Sequence, residues 1–379
     1  MSKKQKPKNK NKFQQNKKKD GVTIHSYAFF RALETIQLSK DFDSIVIVKG
    51  DAVLLPINLY KPGSFSFIST LENTLNPLTP TVNLHNKKLL IIRYGGMGDI
   101  LASLFAISEL KEKYPTLKVG YLTSSKNIQI LKIFPNLIDY ISQPIVKLES
   151  LKQFDYISSL DNTIENDPDS QLISLHDIYA KHLFTNITKD TIINVFKNNM
   201  LFNQKQQPIG IGIQYRSSAI IRNYDIDKMS NLIGMISNMF PSEPIFLLGP
   251  PNDYLFIEYI LSRNSGNIIP NGCGFRELDI LKIVETINNL KAVIGIDSAM
   301  LHIAGVCNIP TVGLFGPFPS NLRLKYYNNS IGIDGKTSCS PCFRHNPQAF
   351  CKFNNGQGEC LNSISPDLIL KTILDNIVI

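Results

Sequence analysis

From residue 87 onward the apolar positions alternate between two habits, short solid runs and runs spaced at helical intervals. Leu89–Arg93 is a continuous apolar stretch, the pattern of a parallel strand buried on both faces. Asp99–Lys113 has helical spacing and stops before Pro115; Lys118–Leu122 and Tyr156–Leu160 read as strands, Lys126–Phe134 and Leu172–Phe184 as helices. A polar break at Asn198–Gln207 follows, and then the alternation restarts. It places strands at Pro208–Gln214, Ile245–Gly249, Asn267–Ile269, Ala292–Ile296 and Thr311–Phe315. The helices between them are Asp227–Met239, Asp253–Ser262, Arg276–Asn288 and Ser298–Cys307, with a closing helix at Pro366–Ile377 that has proline at its first position. Strands alternating with helices imply right-handed βαβ units and doubly wound sheets. Two successive rounds predict an α/β protein of two facing Rossmann-like domains, 87–203 and 204–379.

Residues 21–86 follow another pattern. Ser44–Val48 and Ala52–Asn58 are strand-like with Lys49-Gly50-Asp51 as a hairpin turn between them, and Pro62-Gly63 precedes a third strand at Ser64–Ile68. Strands this short need a neighbour, so they read as a small β extension on the first domain. The whole chain, 379 residues, is long for a single core, which agrees with more than one domain.

Charge changes the picture only at the start. Residues 1–20 hold nine lysines and one aspartate, so +8 of the net +9 sits in a polar, self-repelling tail, and the remainder is close to neutral. A nucleic-acid-binding body is therefore not expected. The tail reads as a solvated arm, with contact to an anionic inner-membrane leaflet or nucleic acid as the alternative. No stretch approaches the ~18 apolar residues of a membrane span, and no apolar segment follows the basic start. The expected location is cytoplasmic.

Two segments carry candidate chemistry. In the first, Arg93-Tyr94-Gly95-Gly96-Met97-Gly98-Asp99 joins a strand to a helix. It invites a dinucleotide reading, but the third glycine of that fingerprint is Leu101, and residues 115–126 contain no acid for a ribose. Asp99 instead stands at the carboxyl end of a strand, where open α/β sheets bind ligands, and Gly95, Gly96 and Gly98 keep side chains away from it. The alternative is an ordinary helix-start aspartate satisfying free N–H groups. In the second segment, Asp297-Ser298-Ala299-Met300-Leu301-His302 occupies the matching place of the other domain. The Ser298 hydroxyl and the free N–H groups of Ala299 and Met300 suit a phosphate, and His302 is one turn further in. The alternatives are a simple serine cap and a satisfied core histidine.

Four of the six cysteines form Cys339-x2-Cys342-x8-Cys351-x8-Cys360. A disulfide pair is not expected in a cytosolic chain. The opening Cys-x2-Cys is a common half-site for tetrahedral thiolate coordination, so a structural zinc or iron is the expectation and loosely packed free thiols the alternative.

Both segments, at this separation, resemble the ADP-heptose glycosyltransferases, the lipopolysaccharide-core heptosyltransferases and their relatives. The matching residues are Arg93–Leu101, Asp297–His302 and Pro310–Pro317, and the resemblance runs over roughly 87–375. It implies a GT-B fold with the donor in the C-terminal domain and the acceptor facing the N-terminal one. It also implies inverting sugar transfer that needs no metal or other catalytic cofactor. Asp99 matches the catalytic base, a role that calls for partial burial in the cleft. Ser298, Ala299, Met300 and His302 match the surroundings of the departing diphosphate, with Asp297 in the same motif. Arg222, with Arg216 as runner-up, aligns with a cation in the loop Gln214–Tyr224, where relatives often carry lysine and tryptophan. Asp253 falls where the family contacts the nucleoside. The implied donor is ADP-heptose. The implied acceptor is a lipopolysaccharide-core sugar or, second, a protein hydroxyl. Some members that glycosylate autotransporter proteins carry a comparable cysteine finger (here 335–362) and an N-terminal β appendage. The rival readings are a GT-B transferase with another nucleotide sugar, and a non-catalytic binding protein using the tail and the cysteine loop.

Overall fold

Every apolar run expected from residue 87 onward lies on a strand in the computed structural model, which describes residues 27–38, 45–56, 59, 63–70, 75–143, 145–202, 207–249, 253–270, 279–345, 349–353 and 356–379. The basic tail, the centre of the inter-domain break, the Pro250–Asn252 turn and the expected start of the helix at Arg276 lie outside the described residues.

The C-terminal domain has a six-stranded parallel sheet. In spatial order its strands are Ile268–Ile269, Ile245–Leu248, Ile209–Gln214, Leu290–Ile296, Thr311–Phe315 and Ser330–Asp334. Numbered along the chain this is 3-2-1-4-5-6, the doubly wound dinucleotide-fold order. The last strand goes beyond the expected set: it is an edge strand of half-buried residues, without the solid apolar run of its neighbours. The N-terminal domain repeats the scheme with Tyr140–Ser142, Lys118–Leu122, Lys88–Ile92, Tyr156–Ser159 and the edge pair Asn76–Pro77, again all parallel. With Lys88–Ile92 and Ile209–Gln214 counted as the first strand of each sheet, leaving the edge pair Asn76–Pro77 aside, the order reverses beside the first strand in both. Each crevice therefore opens between the carboxyl ends of the first and fourth strands, at Ile92 and Ser159 in one sheet and at Gln214 and Ile296 in the other.

The extension departs from the expected hairpin. Ile45–Ile47 pairs with Ile36–Leu38, whereas Ala52–Pro56 pairs with Tyr27–Ala32, so the turn at Lys49-Gly50 carries the chain from one sheet to another. Tyr27–Ala32, unmarked by flanking turn residues, is an inner strand of a four-stranded antiparallel sheet with Ala52–Pro56, Phe65–Thr70 and Val146–Lys147. Tyr27, Phe29 and Leu54 form one apolar cluster with Leu90, Ile92 and Leu122. The alternate residues Leu89 and Ile91 pack on the other side, under the helix Met97–Lys113. The small sheet thus covers one face of the N-terminal parallel sheet, which explains why Leu89–Ile92 is apolar at every position.

The domains meet through side chains of the same kind. Helix Met97–Lys113 packs on Ala299–Val306, and one apolar cluster runs from Leu104 and Phe105 through to Leu301 and Ala304. Polar ties flank it: the Ile280 N–H donates to Gln129 Oε1 at 2.9 Å, and Lys325 pairs with Asp177 at 2.7 Å. Domains joined by a shared core unfold together, so urea denaturation should show one transition. Phe105→Ala should cost about 3–5 kcal/mol because its side chain is fully buried in that layer. Two resolved transitions, or a cost under about 1 kcal/mol, would contradict the shared core.

Candidate active site

The packed helices bring their N-termini into one cleft of about 430 Å³, lined from one side by Gly96–Asp99 and from the other by Asp297–Met300. Gly98 and His302 are near neighbours across it, since a Cβ on Gly98 would lie 3.8 Å from the imidazole.

On the N-terminal side the turn requires Gly96. Its φ is +75°, and a Cβ there would stand 1.9 Å from Asp99 Oδ2. Gly95 has open space around it, so the clearance expected of the three glycines is essential at Gly96. Asp99 keeps about a quarter of its side chain exposed, the partial burial expected of it, and pairs with Arg93 Nη2 at 2.9 Å. Arg93 also reaches Asp161 at 3.5 Å and the Leu160 carbonyl at 3.3 Å. Burial works against the charge of Arg93, but the carboxylates of Asp99 and Asp161 beside it hold it firmly protonated. Asp161 in turn accepts from the Tyr27 hydroxyl at 2.8 Å and from the Tyr94 N–H at 2.9 Å. The N-terminal extension is therefore wired to Asp99 through Asp161 and Arg93.

On the C-terminal side Ser298 begins the helix in extended conformation without capping it, and among the described residues its buried Oγ has no hydrogen-bond partner. The simple-cap alternative fails on this geometry. The helix ladder starts with His302 N–H to the Ser298 carbonyl, leaving the amides of Ala299 and Met300 outside it. Asp297 is buried beneath and gathers three partners: His302 Nε2 at 3.4 Å, Arg222 at 3.6 Å and Arg323 at 3.6 Å. Burial pushes its carboxyl up, but Arg323, the His302 contact and Arg222 together hold it well below the usual range. His302 thus directs Nε2 at Asp297 rather than at the open cleft.

Arg222 lies in the short 3-10 turn Ile220–Arg222 and lines the cleft. Its loop is fixed by Asn223, which accepts from the Ser217 N–H at 2.7 Å, and by the Tyr224 hydroxyl, which donates to the Ile364 carbonyl at 2.7 Å. Arg216 also lines the cleft but is more exposed and pairs with Asp253 at 3.2 Å. Asp253 is not among the cleft-lining residues; its carboxylate serves Arg216.

Sequence reasoning missed four residues. Arg93 belongs to the first motif, but nothing in the motif marks it as a partner of Asp99. Asp161 stands just past the fourth strand of its sheet, a place the switch-point rule singles out once strand order is known. Arg323 and His345 carried no signal. Phe318 organises both: the Arg323 guanidinium lies 3.9 Å from its ring centroid and the His345 ring 4.7 Å.

His345 comes from the cysteine loop. That loop is seated at the end of strand Thr311–Phe315, where the Phe343 N–H donates to the Pro317 carbonyl at 2.8 Å. Gly316 has no side chain to obstruct the Cys360 thiol, since a Cβ there would lie 2.4 Å from the sulfur. Cys339, Cys342, Cys351 and Cys360 are all unbridged. Burial pushes the Cys360 thiol up to about 11, with Cys342, Cys351 and Cys339 adding to the effect, so the four share one neighbourhood. Among the described residues, however, no three His, Cys, Asp or Glu side chains close into a group able to hold a metal ion. The expected cage is not preformed: the donors suit a thiophilic ion in kind and vicinity, and neutral thiols have no attraction that would draw them together without one.

The sequence profile of glycosyltransferase family 9 (heptosyltransferase) matches residues 186–351. No curated protein matches the chain. Solved structures share the fold. ADP-heptose lipopolysaccharide heptosyltransferase II of E. coli is 14% identical with TM-score 0.56, over 76% of this chain and 98% of that one. A family 9 glycosyltransferase of Veillonella parvula is 15% identical with TM-score 0.55, over 78% and 99%. The iron-containing dodecameric glycosyltransferase TibC of enterotoxigenic E. coli is 12% identical with TM-score 0.56, over 93% and 92%. The chain thus carries the glycosyltransferase family 9 (heptosyltransferase) profile over residues 186–351 and shares its fold with solved heptosyltransferases.

Proposed function

We propose that the enzyme moves a heptose from an ADP-sugar to an acceptor hydroxyl with inversion at the anomeric carbon. The observation that carries this reading is the opposition of Asp99 to Ser298, Arg222 and Arg323 across one cleft. Asp99 takes the acceptor proton as that oxygen bonds to the anomeric carbon. The bond from that carbon to the diphosphate breaks, and its electron pair leaves with ADP. Arg222 and Arg323, with the Ser298 hydroxyl and the amides of Ala299 and Met300, receive the growing charge, a task that a metal performs in other transferases. Asp297 and His302 act behind them by setting the arginines' positions. Arg216 is placed at the nucleotide end, with Asp253 orienting it. Function then divides with the chain: acceptor on 87–203, donor on 204–379.

For the acceptor, the β extension and the cysteine loop support a protein hydroxyl over a lipopolysaccharide-core sugar, because they resemble the features carried by family members that glycosylate autotransporter proteins. The fold match to TibC, over 93% of this chain, takes in the extension as the other two compared structures do not. The sequence by itself ranks the two the other way. TibC is also an iron-containing protein, which supports a structural iron or zinc held here by Cys339, Cys342, Cys351 and Cys360. Such an ion would fix the loop and take no part in sugar transfer. A reducing, cytoplasmic location suits four unbridged thiols. No helix among the described residues is long and apolar enough to cross a membrane. Contact of the basic tail with an anionic leaflet is a separate proposal, to be read from vesicle binding of the full chain.

Asp99→Asn should lower transfer by about 10²–10⁴-fold, the usual size of a general-base contribution, while ADP-heptose still raises the melting temperature. Loss of both together would point to a binding role for Asp99. Arg222→Ala should weaken ADP binding by roughly 10- to 100-fold in titration calorimetry, the size of a charge-assisted contact. A melting screen in which other nucleotide sugars shift the protein and ADP-sugars do not would remove the donor assignment. Labelling of lipopolysaccharide core alone, with no polypeptide labelled, would remove the protein acceptor. Protein purified from metal-replete cells should carry about one zinc or iron per chain by mass spectrometry, and under ~0.2 would end the structural-metal reading.

A further inference from the structure

His345 lines the reaction cleft, yet the mechanism leaves its imidazole without a task. Its surroundings are specific. The ring rests on Phe318, which also supports Arg323. Among the described residues its Nε2 is buried without a hydrogen-bond partner. Leaving such an atom unpaired is costly unless a ligand completes it. Arg323, Asp99, Arg222 and Asp297, the charges that act on His345, line the same cleft with it. Burial and Arg323 push it down to about 4, which makes it a neutral imidazole at pH 7. A neutral ring whose Nε2 is unpaired is suited to a sugar hydroxyl and poorly suited to replacing an arginine at a diphosphate.

We propose that His345 is a substrate-contacting specificity residue that hydrogen-bonds a hydroxyl of the transferred sugar, and that the cysteine loop is the arm that delivers it. This rests on the nucleotide-sugar reading of the cleft. The sugar of such a donor must lie between the diphosphate and Asp99, the region that His345 overlooks. The arm is held at Pro317 through Phe343 and beside Gly316 through Cys360, on both sides of His345 in sequence. Its cysteines thereby acquire a reason to lie next to an active site: they fix a loop whose inward imidazole reads the sugar.

The test compares ADP with ADP-heptose on the full chain by calorimetry, for the wild type, His345→Ala and His345→Gln. Wild type should bind ADP-heptose more tightly than ADP. His345→Ala should lose roughly three- to tenfold of the affinity for ADP-heptose, the worth of a neutral hydrogen bond, with ADP affinity unchanged. His345→Gln, which can place an amide near the position of Nε2, should recover part of that loss. Equal losses for ADP and ADP-heptose would assign His345 to the diphosphate or to the fold, and unchanged ADP-heptose binding would remove it from the site; either result overturns the proposal. Wild-type protein that binds neither ligand would instead overturn the donor reading on which the proposal stands.

Discussion

The close packing of two helices, Met97–Lys113 from one domain and Ala299–Val306 from the other, is the contact on which the cleft depends. Each helix starts at the switch point of its own sheet, the place where open α/β sheets bind their ligands. Packing their apolar faces in one continuous cluster turns two half-sites into one. The geometry divides the chemistry between them. One terminus presents a carboxylate, and the other a bare hydroxyl, free amides and two arginines.

Charge is organised by buried counter-ions on both sides. Arg93 ties Asp99 to Asp161, and Asp297 ties Arg222 and Arg323 to His302. A buried ion pair is costly to desolvate and a weak contributor to stability, but removing one partner is costly too, so these groups stay where the fold puts them. That rigidity suits a reaction whose barrier falls when charge meets preorganised partners. It also gives the β extension a place in the enzyme. Its strand Tyr27–Ala32 closes one face of the N-terminal sheet, and the Tyr27 hydroxyl holds the far end of the Asp161–Arg93–Asp99 chain.

Local pattern made much of this legible. Solid apolar runs marked the strands because a parallel sheet is buried on both faces, and the two strand–turn–helix segments marked the cleft because helix termini expose unpaired amides. Asp99 and Ser298 could be named from their place relative to those elements, and Arg222 from the resemblance of its loop to the family's. Pattern was weakest where burial is partial or pairing is distant. Ser330–Asp334 has too little apolar periodicity for an edge strand to be seen, and Tyr27–Ala32 finds its partners 21 to 42 residues away along the chain. The Lys49-Gly50-Asp51 turn looked like a hairpin because turn chemistry reports a bend and says nothing of which strands pair across it.

The sequence by itself determined the two α/β domains, the switch-point segments and the residue types at each helix start, since these follow from short-range periodicity and steric need. Gly96 is the sharpest case: its positive φ and the nearby carboxylate exclude any side chain. Only the tertiary structure decided that Arg323 and His345 share the cleft with Asp99, that His302 faces Asp297, and that Asp253 is engaged by Arg216. Those relations join residues that no local spacing links. They arise when apolar faces dock and the charges between them settle against the partners the docking provides.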